Sequence, residues 1–340
     1  MEEYVDALIG EMRSAFSRTD LSVDTIYIGG GTPTALPSFL ICKILDNLHS
    51  RSEDGCISRA PSVTVEANPG TLTREYLAEL KNHGVTRLSI GLQTTKPHLL
   101  KAINRVHTMG DFWENFHVAR DAGFDNINVD LMFGLPGQTL QDWRETLEEV
   151  IALSPEHISA YSLTPAENTP LWHKLEEGTL QLPDDATDRN MYHAAREQLA
   201  KAGYVHYELS NFAKPGFESR HNINCWRRVP YTGFGLGAHS FDGEKRWSNT
   251  EDLDEYLGVN RNPPHKRIIA EHLSEKDHLA ETMILGLRLM QGVPEAAVPA
   301  IYNEEVTTLV GKGLLTRQDG YVRLTPLGMD LANQVFAAFV

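Results

Sequence analysis

The sequence predicts an α/β fold built on parallel strands, and two observations support this prediction. Segments with the hydrophobic pattern of strands alternate with segments of helical periodicity, and short turns containing glycine or proline separate them. The chain also has 340 residues, which at about 150 residues per domain suggests roughly two domains. This alternation is typical of a parallel barrel or an open parallel sheet, in which ligands bind beyond the carboxyl ends of the strands.

Strand and helix patterns follow one another along the first half of the chain. An amphipathic helix is predicted over residues 1–16, where apolar side chains recur every four residues at Tyr4, Leu8, Met12 and Phe16. The predicted strands cover residues 23–28, 62–66, 87–90, 126–132 and 157–163. The predicted helices between them cover residues 38–49, 73–83, 110–122 and 139–153. No strand precedes the first helix, so either the fold begins with a helix or a leading strand and its loop are missing.

The second half of the chain is less regular. Beyond residue 163 we predict a helix over 187–202, a strand over 205–209 and a loop over 211–240 whose glycines, asparagines and aromatic residues suggest a function. From residue 274 the predicted elements resemble a winged helix, with helices over 275–290 and 294–302, a third helix leading to Gly313, a strand over 321–325 and a final helix. The predicted division is therefore a β/α domain over 1–210, a connecting segment over 211–273 and a winged-helix-like α+β domain over 274–340.

Composition and charge exclude several classes of protein. The net charge of −15 argues against a sequence-independent nucleic-acid binder, which needs a broad basic surface. The three cysteines, Cys42, Cys56 and Cys225, form no disulfide framework and are typical of a reducing compartment. The first 16 residues carry four acidic side chains, and no stretch approaches 18 apolar residues, so neither a signal peptide nor a membrane span is expected. We therefore predict a cytoplasmic protein.

A glycine-rich turn lies where the strand over 23–28 ends. Gly29, Gly30 and Gly31 precede Thr32 and Pro33, and such a turn exposes backbone amides and carbonyls to a phosphate, a carboxylate or an amino group. The lysine of a P-loop and the spacing of a dinucleotide fingerprint are both absent from it. A turn needed only for packing is the alternative.

Polar residues also occupy successive predicted strands. Glu66 and Gln93 lie at strand ends, and Asp130 lies inside an otherwise apolar strand, where an unpaired charge is costly. Asp130 therefore needs a partner or a ligand, and Arg105 is the candidate cation. Because the carboxyl ends of parallel strands meet at one edge, these residues predict one shared small-molecule site.

A second set of candidate residues lies in the predicted loop. Residues 221–226 (HNINCW) and 233–240 (GFGLGAHS) combine histidines, aromatics and glycines that can flank a flat or metal-bearing ligand. A packed loop with satisfied histidines is the alternative. Cys225 has no CxxC companion, and the chain contains neither HExxH nor GxSxG.

Together these segments resemble a known family. They are residues 27–33 (YIGGGTP), 65–69 (VEANP), 88–93 (LSIGLQ), 128–139 (NVDLMFGLPGQT) and 235–240 (GLGAHS). The chain is similar, from near residue 4 to its end, to the radical S-adenosylmethionine (SAM) proteins of the oxygen-independent coproporphyrinogen oxidase group. Within that group it is closer to the HemW-type haem chaperones than to the oxidase. The resemblance implies a partial (β/α)6 barrel followed by a smaller C-terminal domain.

The resemblance also implies roles for individual residues. By motif, Gly30, Gly31 and Thr32 would contact the methionyl amino end of SAM, and Met132 would lie near its adenine. Further contacts to the amino-acid and ribose parts would come from Glu66, Gln93, Arg105 and Asp130. His221 opens the segment that corresponds to a His-Asn-x-x-Tyr-Trp motif associated with haem, and is the candidate haem contact. Cys225 stands where tyrosine is usual.

The family's iron–sulfur cluster is expected to lack its ligands here. The family opens with a strand and a Cys-x3-Cys-x2-Cys loop that holds a [4Fe–4S] cluster, whereas this chain starts at the following helix. The spacing of Cys42, Cys56 and Cys225 cannot replace that loop. Cluster-dependent chemistry is therefore not expected of the chain as given. Met1 is either an internal methionine of a longer protein, which the retained SAM motifs favour, or the start of a natural cluster-less relative.

Three functions follow from these observations. The first is a haem chaperone that binds haem or porphyrin and delivers haem to acceptor proteins, without nucleic acid and with peripheral membrane association left open. The alternative is an enzyme of porphyrin biosynthesis like the oxygen-independent coproporphyrinogen III oxidase, a dehydrogenase. The third is a binding scaffold independent of cofactors.

Overall fold

The computed structural model describes residues 1–16, 22–50, 57–260 and 268–340. Cys56 lies outside the described residues. The chain divides into two compact units, and each is described by itself. The first comprises Met1–Thr25, Lys43–Pro61 and Ser219–Val340, and the second comprises Ile26–Cys42 and Ser62–Glu218. The predicted domain boundaries near residues 210 and 273 stay a prediction.

The helices, in chain order, are α1 (Glu2–Phe16), α2 (Ser38–His49), α3 (Arg74–Asn82), α4 (Pro97–Ala102), α5 (Met109–Asp121), α6 (Leu140–Leu153), α7 (Pro170–Glu176), α8 (Asp185–Lys201), α9 (Arg220–Trp226), α10 (Leu253–Asn260), α11 (Glu275–Gly286), α12 (Asn303–Gly311), α13 (Pro326–Asp330) and α14 (Ala332–Ala337). The strands are β1 (Val23–Ile28), β2 (Ile57–Ala67), β3 (Arg87–Gln93), β4 (Ile127–Phe133), β5 (His157–Ser162), β6 (Val205–Glu208), β7 (Asn211–Ala213), β8 (His239–Phe241), β9 (Lys245–Asn249), β10 (Ile268–His272), β11 (Val293–Pro294), β12 (Leu315–Gln318) and β13 (Tyr321–Leu324). None of the helices in the described ranges has the length and apolar character that a membrane crossing requires.

Most residues of a sheet of seven strands, in the order β1-β2-β3-β4-β5-β7-β6, belong to the second unit. Strands β2 to β5 are parallel neighbours, and β7 closes against β5 in the antiparallel direction. Helices connect the parallel strands, which confirms the predicted alternation of strands and helices. Capping boxes at Thr108 and Thr139 fix the starts of α5 and α6, because each threonine side chain and the aspartate three residues later satisfy free amides.

The two faces of this sheet differ in chemistry because side chains alternate along each strand. On one face Phe133 packs against Trp143 of α6 at 5.4 Å and Tyr192 of α8 at 6.3 Å between ring centroids. This apolar face also buries residues from four parallel strands, among them Val65, Leu88, Ile90, Val129, Leu131 and Ile158. The opposite face, here called the polar face, carries Thr64, Glu66, Arg87, Ser89, Asn128, Asp130, His157, Ser159 and Tyr161.

A hydrogen-bond chain crosses the polar face. Nδ1 of His157 lies 2.6 Å from Oδ1 of Asn128, and Nε2 lies 2.8 Å from the hydroxyl of Tyr207. Burial lowers the pKa of His157 well below its ordinary value, and the positive charge of Arg87 lowers it further. His157 is therefore neutral in the folded protein at neutral pH.

In the first unit, the carboxylate of Glu11 joins α1 to the segment over 235–256. Glu11 is buried and accepts hydrogen bonds from Gly235 N–H at 3.1 Å, Asn249 Nδ2 at 2.9 Å and the Tyr256 hydroxyl at 2.7 Å. Gly235 has φ +100°, and a Cβ there would lie 2.7 Å from the hydroxyl oxygen of Tyr4. Part of the GLGAHS segment therefore holds the first helix in place.

The C-terminal part of the first unit combines α11 to α14 with a three-stranded antiparallel sheet in the order β11-β13-β12. This arrangement agrees with the predicted α+β organisation. The predicted helix over 294–302 is wrong, because Pro299 interrupts it and leaves two short 3-10 turns, Glu295–Ala297 and Ala300–Tyr302.

The predicted loop over 211–240 is also wrong in part. It contains β7, α9 and the start of β8. Helix α9 begins at a Ser219 cap, whose hydroxyl accepts a hydrogen bond from the amide of Asn222. Two of the seven residues of α9 are asparagines. Because asparagine is a poor helix former, the sequence pattern did not predict a helix here. Helices α4 and α7 were not predicted, and both start at a proline, a residue that favours the first helical position.

We expect the Glu11→Ala substitution to lower the free energy of unfolding by about 3 kcal/mol, because three buried donors lose their acceptor. Tyr256→Phe, which removes one donor, should cost about 1.5 kcal/mol. Urea unfolding followed by circular dichroism measures both. Glu114→Ala, an exposed position on α5, is the control and should change little. Equal stability of the Glu11 and Glu114 variants would contradict a structural role for this carboxylate.

Stability should also depend on pH through His157. Its pKa is lower folded than unfolded, so its contribution is complete above about pH 6.5 and is lost as the pH falls, when the unfolded chain binds the proton. When the pH is lowered from 7.5 to 5.5, the free energy of unfolding should decrease in both proteins, but by about 1.4 kcal/mol less in His157→Asn than in the parent protein. Urea titrations at both pH values test this, with His98→Asn, an exposed position on α4, as control. An equal loss in the His157 variant and the parent would refute it.

Candidate functional site

The candidate site lies in the second unit, where β1 to β4 reach their carboxyl ends. The glycine turn follows β1. A Cβ at Gly29 would lie 2.6 Å from a ring carbon of Tyr27, so only glycine fits there. Gly30 and Gly31 have φ of +84° and +69°, a region that favours glycine, and no heavy atom lies within 4 Å of where their Cβ atoms would be. The turn therefore presents open backbone to a ligand.

The carboxylate of Glu66 lies against this turn. One oxygen accepts a hydrogen bond from the hydroxyl of Tyr27 at 2.6 Å, and the other accepts one from the amide of Gly30 at 3.2 Å. Burial raises the pKa of Tyr27 far above its ordinary value, and the charge of Glu66 adds to this effect. Tyr27 is therefore a neutral donor that orients Glu66.

Asn68 links two further predicted residues. Its Nδ2 donates to the hydroxyl of Thr32 at 2.9 Å, and its Oδ1 accepts from the guanidinium of Arg105 at 3.2 Å. Thr32, Glu66 and Arg105 are thus brought to one edge of the sheet. Asn68 itself was not singled out in the sequence.

The expected pairing of Arg105 with Asp130 is wrong. No ion pair joins these two side chains, both of which the structure describes, and Arg105 contacts Asn68 instead. Asp130 accepts hydrogen bonds from the hydroxyl of Ser89 at 3.0 Å and from Nδ2 of Asn128 at 2.7 Å. Strand alternation places its charge on the polar face, where neutral donors stabilise it.

Tyr161 lies beside Asp130 on the neighbouring strand. Burial raises the pKa of the Tyr161 hydroxyl well above its ordinary value, and the carboxylate of Asp130 raises it further. Met132 pairs in register with Tyr161 and is half-buried. Met132 therefore lies two residues beyond Asp130 on the same face of β4.

Gln93 carries an unsatisfied atom. It ends β3 at a register shift, with φ +71°, and its Oε1 is buried without a hydrogen-bond partner among the described residues. Its Nε2 lies 3.1 Å from where a Cβ at Gly91 would be, so Gly91 makes room for this side chain. A buried acceptor without a donor is costly, and a bound amino group would satisfy it.

His221 belongs to the first unit and lies on α9. Its Nδ1 is 3.4 Å from the hydroxyl of Thr25, and its Nε2 is 3.9 Å from the sulfur of Cys225, one helical turn away. Burial raises the pKa of the Cys225 thiol, so this cysteine is protonated at neutral pH. Trp226, the last residue of α9, packs under the guanidinium of Arg288 at 4.3 Å.

Several residues of the polar face were missed in the sequence. They are Arg87, Asn128, His157 and Tyr161, and two residues beside the candidate site, Tyr27 and Asn68, were missed as well. The signal that identifies most of them is the two-residue alternation of polar and apolar side chains on consecutive strands, which becomes visible once the strands are paired.

A [4Fe–4S] cluster finds no ligand set within the ranges that the structure covers. No group of three or more histidine, cysteine, aspartate or glutamate side chains with metal-binding geometry occurs there. Cys42 is buried in α2 and Cys225 is half-buried in α9. The residues around Gln93 and the glycine turn, in contrast, suit the amino-acid part of SAM, because they offer open backbone and an acceptor without a donor.

Comparison with known proteins agrees with this geometry. A model of the radical SAM superfamily matches residues 5–150, and a model of the HemN C-terminal domain matches residues 273–331. Relatives named "Heme chaperone HemW" from Bacillus subtilis and Lactococcus lactis are each 36% identical over all of this chain, which covers 92% and 90% of their lengths. One from Escherichia coli K12 is 34% identical over 70% of this chain, which covers 61% of that relative.

A solved structure shares the fold. Coproporphyrinogen III oxidase (HemN) from Escherichia coli, described as a radical SAM enzyme, superposes with a TM-score of 0.82 at 21% identity, covering 99% of this chain and 82% of that one. The α/β sheet of the second unit is thus a radical SAM half-barrel. Membership in this superfamily implies SAM and a [4Fe–4S] cluster as cofactors. By its similarity over the full length to these relatives, the chain belongs to the HemW family within the radical SAM superfamily.

Proposed function

We propose that this protein is a haem chaperone that binds haem, binds SAM on its half-barrel and delivers haem to acceptor proteins. The observation that carries the proposal is the 36% identity over the entire chain to relatives named for that function. Cytoplasmic location and haem or porphyrin as the ligand are parts of the same proposal.

The SAM site is proposed at the carboxyl ends of β1 to β4. Gly30, Gly31 and Thr32 would surround the methionyl amino group, and Oε1 of Gln93 would accept one of its hydrogens. Arg105 would face the methionyl carboxylate with a guanidinium that Asn68 orients.

The rest of the SAM molecule would extend along the same edge. Glu66 and Asp130 would hold the ribose hydroxyls, since both carboxylates are oriented by neutral donors and retain acceptor capacity. Met132 would lie beside the adenine. SAM supplies an activated sulfonium when bound. Because the described residues provide no cluster ligands, we derive no radical step from this chain.

Haem is proposed to contact the chain through His221. A neutral imidazole nitrogen is a common axial ligand of haem iron. Nε2 of His221 lies 3.9 Å from the Cys225 sulfur, and that thiol is protonated, which makes it a poor ligand for iron. His221 is therefore the better iron ligand of this pair.

The alternative is an oxygen-independent coproporphyrinogen III oxidase-like enzyme. What favours it is the shared fold with that oxidase, but a likeness at 21% identity shows the fold alone. The full-length relatives favour the chaperone.

Gln93→Ala should weaken SAM binding at least tenfold, because a hydrogen bond to a charged ammonium is lost. Isothermal titration of SAM into the parent and the variant measures this. Gln141→Ala, at an exposed position on α6, is the control and should bind as the parent does. Unchanged affinity in the Gln93 variant would remove this side chain from the SAM site.

His221→Ala should weaken haem binding at least tenfold and shift the Soret band, because the iron loses a nitrogen ligand. Absorbance titration with haemin measures both effects. Cys225→Ala should retain the parent spectrum, and His98→Ala controls for adventitious histidine binding. If the His221 variant keeps the parent affinity and spectrum, His221 is not the iron ligand.

A further inference from the structure

Arg87 is a buried cation on the polar face of the half-barrel. It begins β3, pairs in register with Thr64 of β2, and is only 4% exposed. Its side chain shares its face of β3 with Ser89, because the two are separated by one residue. The proposed SAM site does not use it.

One donor of the Arg87 guanidinium, Nε–H, has no acceptor within the described ranges. Its Nε is fully buried without a hydrogen-bond partner, and no ion pair joins it to a carboxylate there. Arginine stays charged in proteins, so burial cannot remove this charge by deprotonation. A buried charge without a partner is strongly unfavourable.

Two other partly buried cations of this chain are paired with carboxylates. Lys96 contacts Glu145 at 2.6 Å, and Arg120 contacts Glu156 at 2.7 Å. Arg87 is more buried than either, yet it lacks the carboxylate that they have.

The side chains near Arg87 already have partners. The hydroxyl of Tyr207 lies 2.8 Å from His157, and that of Tyr27 donates to Glu66. Asp130 also lies near enough to interact with the Arg87 charge, but no hydrogen bond or ion pair joins the two side chains among the described residues, and the Asp130 oxygens accept from Ser89 and Asn128. The Nε–H donor of Arg87 is therefore left for a ligand.

The charges of the polar face indicate which anion fits. Glu66 and Asp130 are both carboxylates, so a dianionic phosphate would meet more repulsion than a monoanionic carboxylate. A carboxylate also matches the two parallel N–H donors of a guanidinium.

The carboxylate of SAM is badly placed for this role. Arg87 and Gln93 lie at opposite ends of β3, about 20 Å apart between their Cα atoms at about 3.3 Å per residue. A methionyl carboxylate held beside Gln93 lies at the far end of that strand.

We propose that Arg87 binds a carboxylate of a ligand that occupies the polar face, and that this carboxylate is a porphyrin propionate. The identification of the propionate rests on the proposed haem function. The presence of a carboxylate-binding group rests on Arg87 alone.

The test compares how tightly the parent protein and the Arg87→Gln variant bind a porphyrin diacid and its diester. Protoporphyrin IX has two free propionates, its dimethyl ester has none, and neither contains iron, so coordination by His221 plays no part. Arg87→Gln should weaken binding of the diacid at least tenfold and leave binding of the ester unchanged. Fluorescence titration in dilute detergent measures all four affinities.

Three further measurements separate a direct effect of Arg87 on binding from an effect on folding or on overall charge. Arg87→Lys, which retains the charge without the paired donors, should bind the diacid with intermediate affinity. Near-ultraviolet circular dichroism checks the fold of each variant. Arg74→Gln, at an exposed position on α3, is the control for loss of positive charge.

Each remaining outcome decides the proposal. Equal affinity of parent and Arg87→Gln for the diacid, or equal weakening of acid and ester, overturns it. If Arg87→Gln loses affinity for SAM and keeps its affinity for the diacid, the proposed propionate is overturned, and Arg87 is assigned to the methionyl carboxylate of SAM instead. If the parent does not bind the diacid, the propionate is refuted, and the haemin titration of the parent shows separately whether the haem function fails.

Discussion

The alternation of side chains along β2 to β5 is the constraint on which the half-barrel depends. One face of each strand packs against helices such as α6 and α8, so every second residue must be apolar. The other residues are directed to the polar face, where each buried polar group needs a hydrogen-bond partner. The alternation of apolar and polar side chains along these strands thus determines both the packing of the fold and the position of the site.

Most groups on the polar face satisfy one another. Asn128 connects β4 to β3 through Ser89 and to β5 through His157, while Asp130 is held by neutral donors. Two groups on β3 stand apart. The amide oxygen of Gln93 and Nε of Arg87 are buried without partners among the described residues. They lie at opposite ends of β3.

Motifs that identify a family do not all contribute to its ligand sites. The GLGAHS segment suggested a ligand loop, yet Gly235 donates to Glu11 and packs closely against Tyr4. At this glycine the motif holds the first helix of the first unit. The glycines after β1 differ, because the space beside Gly30 and Gly31 is open.

The sequence by itself determined the α/β class, most helix and strand positions in the half-barrel, and the family. Periodicity and short motifs are local properties of the sequence, so they can be recognised without knowing which residues are in contact. Gln93, Glu66 and the glycine turn could be named because each lies at or just beyond the carboxyl end of a strand.

Only the tertiary structure decided which side chains meet. Asp130 is stabilised by Ser89 and Asn128 on the paired strands, whereas Arg105, the partner expected from charge alone, contacts Asn68. Helix α9 formed where composition favoured a loop, and a Ser219 cap satisfies an amide at its start. Strand register brings together residues about 40 positions apart in the chain, such as Ser89 and Asn128, and no local pattern contains that information.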